Sequence, residues 1–241
     1  MGGAERWGFV KICGITTLED ARIAVAAGAD ALGFVFYPKS PRFISPEQAA
    51  AIAAALRREA PWVRQVGVFV NEPVHRVREW MEAIGLDWAQ LHGDEPPEAV
   101  AALADRAYKV LRLRPPASEG RLEDPPDPEP YRGQLPDGPT LGVDAWHPAA
   151  YGGTGWRADW EIAATWARIH RLLLGGGLSP ENIVEAILRV RPWGVDVSSG
   201  VEREPGRKDA GKVQAFIARA RQAFQSLRVG HRSDSISQGK T

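Results

Sequence analysis

The sequence predicts an α/β chain folded as a (β/α)8 TIM barrel, a single domain with an irregular fifth βα unit. Three observations predict it. A short apolar strand pattern followed by a helix-like pattern recurs at intervals of roughly 25 to 30 residues along the chain. The strand segments are rich in Val, Ile, Leu and Phe, as parallel strands covered by helices are. Eight such units fit a chain of this length when closed into a barrel. An open doubly wound sheet is the alternative, but it commonly has fewer strands, and no G-x-G-x-x-G follows the first one.

In chain order, strands are expected at 9–13, 31–36, 65–70, 88–92, 108–113, 140–144, 171–174 and 194–198. Helices fall between them. Thr16-x-x-Glu19 and Ser45-Pro-Glu-Gln48 read as capping boxes, and Ser179-Pro-Glu places a cap residue before a proline at the first helical position. Segments 159–170 and 208–224 carry apolar residues at helical spacing. The fifth unit breaks the pattern: 115–139 is rich in Pro and acidic residues and reads as a loop or degenerate helix. The barrel domain is expected to span 1–227, with 228–241 a disordered polar tail.

Composition narrows the function. The formal net charge is zero, which argues against a nucleic-acid partner. No run of roughly 18 apolar residues exists, so no membrane span is expected. The start of the chain, MGGAERWGFVK, lacks the apolar region of a secretory signal, and a cytoplasmic location is expected. Cys13 is the only cysteine, and no Cys/His cluster has zinc spacing, so neither a disulfide nor a metal is expected.

Side chains alternate along a strand. Lys11 and Cys13 therefore share one face of the first strand, Gln90 and His92 one face of the fourth, and Asp196 and Ser198 one face of the eighth, while Asp144 ends the sixth. A dry barrel interior would leave such groups costing a few kcal/mol each. They are better placed at the wet C-terminal mouth, where barrel enzymes keep their active sites. Lys11 and Asp196 are then positioned to pair across neighbouring strands. For Cys13 two readings stand side by side: a thiol pointing into the mouth, or a small buried hydrophobe.

Three glycine-rich turns follow the last three strands: Gly152-Gly-Thr-Gly155, Gly175-Gly-Gly177 and Ser198-Ser-Gly200. Glycine lets backbone N–H groups approach an anion closely, and loops after strands seven and eight of this fold commonly bind phosphate. Gly155, Gly176, Gly177, Ser198, Ser199 and Gly200 are the expected phosphate site. No Walker pattern is present, which argues against a nucleoside triphosphate.

KICGIT at 11–16, GFVFYPKSPRFIS at 33–45, VGVFVN at 66–71, QLHGDE at 90–95, Asp144 with YGGTG at 151–155, LGGGLSPEN at 174–182 and VDVSSGVEREPGRKD at 195–209 together resemble the phosphoribosylanthranilate isomerases. The resemblance runs from about Lys11 to Phe224 in the family's order. It implies a cofactor-free Amadori rearrangement of N-(5-phosphoribosyl)anthranilate in tryptophan biosynthesis. It also implies Cys13 as general base, Asp144 as general acid and Arg42 as the contact to the anthranilate carboxylate. Gln90, His92 and Asp196 are kept as residues lining the substrate pocket. On this reading Asp144 must stay protonated at neutral pH, and Lys11 is expected to lower the Cys13 pKa. The partner is a small phosphoribosyl substrate, and the sequence leaves a homodimer open. Competing readings are another phosphosugar barrel, such as indole-glycerol-phosphate synthase or a histidine-pathway sugar isomerase, and a non-enzymatic phosphate-ligand binding module.

Overall fold

The computed structural model describes residues 8–114, 125–145 and 157–237, with side chains to residue 228. Eight parallel strands close into a barrel in sequence order: β1 Phe9–Cys13, β2 Ala31–Val35, β3 Arg64–Phe69, β4 Trp88–Leu91, β5 Ala107–Leu113, β6 Leu141–Ala145, β7 Leu172–Leu174 and β8 Gly194–Val197. Closure is made by β1 pairing with both β2 and β8, which sets Lys11 beside Ala31 on one side and Asp196 on the other. Each strand falls within one residue of its expected limits, because buried apolar runs bounded by polar turns leave little freedom of register.

The helices are α1 Leu18–Ala26, α2 Pro46–Glu59, α3 Val74–Ile84, α4 Pro97–Ala102, α5 Trp160–Trp166, α6 Ile183–Val190 and α7 Ala210–Ser237. Ser45 and Gln48 form the expected capping box of α2. Two helix starts move. The cap of α1 is Thr17, whose side chain accepts from Asp20 N, while Thr16 Oγ1 donates to Gly206 O and ties the first loop to the last. Ser179 does not begin α6: its N–H donates to Asn182 Oδ1 and its Oγ accepts from Glu181 N, closing a turn, and Asn182 is the cap. The last helix continues past Leu227, so helical backbone occupies most of the stretch expected to be a disordered tail.

In the connection between β5 and β6, the described residues hold one short 3-10 turn, Glu129–Tyr131, and no α-helix. Arg171 fastens it by donating to Pro136 O and Leu135 O. The main core lies between strands and helices, with Val10, Ile12, Leu32 and Phe34 facing α-helical partners such as Leu56, Ile187 and Phe216. A second cluster plugs the barrel floor. Phe9 stacks on Trp193 with ring centroids 4.7 Å apart, and Trp88 and Tyr108 complete the layer. The floor is sealed with aromatic rings, so the barrel opens at the C-terminal ends of its strands.

A small antiparallel hairpin, β9 Glu202–Glu204 and β10 Arg207–Lys208, follows β8 and bends back toward the mouth.

Candidate active site

Above the floor the interior turns polar. Lys11 is fully buried, and its Nζ donates to Asp196 Oδ2 at 2.7 Å, the cross-strand pair expected from the register. Burial is the largest influence and works against the ammonium, but Asp196, Cys13 and Tyr108 together outweigh it and Lys11 stays protonated well above its ordinary range. One layer higher, Cys13 is 7% exposed and lines an open pocket. The two readings of the thiol therefore merge: it is nearly buried and it faces the mouth. Burial pushes the thiol up, Lys11 pulls it down, Asp196 pushes it up again, and the net direction is up. The expected pull from Lys11 is present, but the cost of desolvating a thiolate is larger. A Cβ on Gly33 of β2 would lie 2.7 Å from Cys13 Sγ and 3.0 Å from Lys11 Nζ, so the glycine makes the space that both groups occupy.

Asp144, near the end of β6, lines the same pocket. Its Oδ1 accepts from Ala145 N at 2.7 Å. Its Oδ2 lies 3.0 Å from His92 Nε2, within ionic contact although not aligned as a hydrogen bond. Behind His92, Nδ1 is 2.7 Å from Gln90 Nε2, and Gln90 Oε1 accepts from the Tyr108 hydroxyl at 2.6 Å. Gln90 and His92 both line the pocket, as does Asp196.

Arg42 reaches the pocket from the loop after β2, yet two of its nitrogens are held elsewhere. Nε and Nη2 form a bidentate pair with Glu202 at 2.8 and 2.7 Å, and Nη1 takes no part in that pairing. Lys208 Nζ also binds Glu202 Oε1 at 2.9 Å, and Gly206 N donates to the same oxygen. Burial pushes the Glu202 carboxyl up, but the Arg42 and Lys208 donors win and the net direction is down. Burial depresses Lys208 against the opposing pull of Glu202. The buried cluster thus has two cationic groups to one carboxylate, an excess of positive charge in the pocket wall.

Gly176 and Gly177, after β7, take positive φ of 87° and 63°, a conformation that glycine adopts without strain, and both line the pocket with Ser198 and Ser199. Gly200 has a different place: a Cβ there would lie 1.9 Å from Leu178 O, so glycine lets the loops after β7 and β8 meet backbone to backbone. Gly155 and the rest of the YGGTG turn lie outside the described residues. Among the described residues no group of three or more His, Cys, Asp or Glu could hold a metal, and no helix is long and apolar enough to cross a membrane.

Glu202, Lys208, Tyr108 and Gly33 escape the strand-parity reading. Glu202 and Lys208 sit beyond the last barrel strand, in the hairpin of β9 and β10, where barrel parity says nothing. Tyr108 does have inward parity on β5, with Val110, and that signal was available in the sequence.

The family described as N-(5'phosphoribosyl)anthranilate (PRA) isomerase matches residues 10–219. N-(5'-phosphoribosyl)anthranilate isomerase of Geobacter metallireducens is 50% identical over 214 residues, covering 88% of this chain and 98% of that protein. The Pelobacter propionicus protein of the same name is 49% identical over 213 residues, covering 88% of this chain and 95% of the relative. Among solved structures, phosphoribosyl anthranilate isomerase from Thermus thermophilus superposes with a TM-score of 0.74 at 42% identity, covering 89% of this chain and 98% of that one. A further structure, 39% identical with a TM-score of 0.69 and covering 89% and 98% of the two chains, is the isomerase in complex with reduced 1-(o-carboxyphenylamino)-1-deoxyribulose 5-phosphate. With the barrel, the pocket and these matches agreeing along the chain, it belongs to the N-(5'-phosphoribosyl)anthranilate isomerase family of tryptophan biosynthesis.

Proposed function

We propose that Cys13 and Asp144 act as base and acid in the isomerisation of N-(5-phosphoribosyl)anthranilate to 1-(2-carboxyphenylamino)-1-deoxyribulose 5-phosphate. One observation carries the reading: the thiol of β1 and the carboxyl of β6 line a single pocket together with the glycine turn after β7 and the serines after β8. Asp144 gives a proton to the ribose ring oxygen, the bond from that oxygen to C1 breaks, and the anilino nitrogen becomes an iminium. The iminium acidifies the C2 proton, which Cys13 removes to leave an enolamine. Proton return to C1 as the C2 hydroxyl becomes a carbonyl yields the ketose. The iminium takes up the electron pair, so the step needs no cofactor. A mild base suffices, and a thiolate is one even as a minority species.

Binding follows charge. The turns at Gly176, Gly177, Ser198 and Ser199 take the phosphate, and the excess positive charge of the Arg42–Glu202–Lys208 cluster attracts the anthranilate carboxylate through the Arg42 edge that Glu202 leaves open. A homodimer in the cytoplasm suits the reading; for the dimer, support comes from the Thermotoga maritima isomerase, 40% identical and solved as monomers generated from a dimeric enzyme.

The test is a fluorescence assay in which phosphoribosylanthranilate is generated in situ and its anthranilate signal is followed. Cys13→Ser and Asp144→Asn are each expected to lower kcat at least about 100-fold with KM little changed. An unchanged kcat in either variant removes that residue from its role.

A further inference from the structure

The buried chain Tyr108–Gln90–His92–Asp144 has a direction. The Tyr108 hydroxyl has its proton to give, since burial and the neighbouring Asp196 and Cys13 keep the phenol protonated against the pull of Lys11. It donates to Gln90 Oε1 at 2.6 Å, which fixes the orientation of that amide. The other end of the amide, Nε2, can only donate, and it faces His92 Nδ1 at 2.7 Å. Nδ1 must therefore accept, so the single proton of the imidazole sits on Nε2, 3.0 Å from Asp144 Oδ2. An imidazolium would set an Nδ1–H against the amide N–H, and turning the amide over would make the Tyr108 oxygen the acceptor and take from its hydroxyl proton the Gln90 Oε1 partner it has here.

We propose that Tyr108, acting through Gln90, is a positioning residue that keeps the one proton of a neutral His92 on Nε2, facing the carboxylate that Asp144 becomes once it has given its proton to the ring oxygen. The inference rests on the assignment of Asp144 as the acid. The ionisable neighbours of His92 are consistent with a relay rather than a direct charge effect. Asp144 faces it from β6, Tyr108 lies behind it on β5, and Cys13 and Asp196 share its pocket from β1 and β8. Lys11 is neutralised by Asp196, and Arg112 and Lys109 are paired with Asp94 and Glu95 beside the loop after β4. The reaction needs a donor that gives its proton to the ring oxygen in one step. A histidine free to become imidazolium would compete with Asp144 for that proton.

Two variants and two readouts test this. In the intact protein, 15N spectra of the His92 ring are expected to show protonated Nε2 and unprotonated Nδ1 at neutral pH. Tyr108→Phe releases the amide; His92 is expected to populate both tautomers, with kcat falling about five- to tenfold, the scale of one hydrogen bond, and KM held. Gln90→Glu offers only acceptors to Nδ1 and is expected to place a proton there and favour the imidazolium. Protonated Nδ1 in the parent protein, or an unaltered His92 spectrum in both variants, would overturn the proposal. The spectra do not depend on turnover, so failure of the acid assignment is seen separately, as undiminished kcat in Asp144→Asn.

Discussion

Cys13 shows how position sets reactivity. Its thiol is raised by burial despite the ammonium of Lys11 close by, so at neutral pH the thiolate is a small fraction. A base works only when deprotonated. Raising its pKa therefore moves the rising limb of activity to higher pH. In Asp144→Asn, whose residual activity carries no titrating acid at that position, kcat/KM is expected to climb about tenfold per pH unit and to level off only above the ordinary thiol value of about 8.5. A limb that levels off below pH 7 would contradict the assignment. The lysine holds the site together in another way: with Asp196 it forms a buried pair, and removing either member would strand a charge at a cost of about 3–5 kcal/mol.

At the scale of elements, the loops after β7 and β8 act as one unit because Gly200 lets them touch. Gly200→Ala places a methyl inside the van der Waals radius of Leu178 O, a backbone atom that moves only with its loop. The variant is expected to raise KM for the phosphorylated substrate about tenfold or more and to lose about 1–3 kcal/mol of stability, measured by steady-state kinetics and urea unfolding. A parental KM would detach this contact from phosphate binding. The same loops mark where the sequence was legible and where it was not. Local signals survived: the Ser45 capping box uses atoms three residues apart, and each strand end was read from its own apolar run. Signals of intermediate range slipped, as at Thr17 and Asn182, where neighbouring polar residues compete for the same backbone N–H groups. Long-range pairs left no local trace. Arg42 meets Glu202 across 160 positions, and nothing in either segment announces the other. The candidate Cys13, Asp144, His92 and Gln90 were legible because strand parity and barrel geometry converge them without any knowledge of partners.

The whole molecule carries its own acid sensitivity. His170 at the foot of β7 is buried, its ring nitrogens have no aligned hydrogen-bond partner among the described residues, and Glu129 Oε1 lies 3.4 Å from Nε2. Burial depresses its pKa, with Glu129 opposing and Arg132 adding to the shift. A depressed histidine binds its proton more weakly folded than unfolded. The unfolded chain therefore holds more protons below about pH 6.5, and stability falls as the pH drops through that value. Urea midpoints measured at pH 7.5 and 5.5 are expected to fall less in His170→Gln than in the parent; equal declines would rule out this histidine as the source. Glu202, held low by Arg42 and Lys208 against its burial, adds a second loss at more acidic pH.

All of these features serve one arrangement, in which the aromatic floor closes the barrel and the thiol, the carboxyl and the phosphate turns face a common space. The most direct measurement is a crystal structure of this chain with reduced 1-(o-carboxyphenylamino)-1-deoxyribulose 5-phosphate. The account predicts Cys13 Sγ beside C2, Asp144 within hydrogen-bond reach (about 2.6–3.2 Å) of the oxygen that closes the ribose ring, and the phosphate on the turns after β7 and β8. A ligand seated with C2 out of reach of the sulfur, or with that oxygen turned away from Asp144, would contradict it.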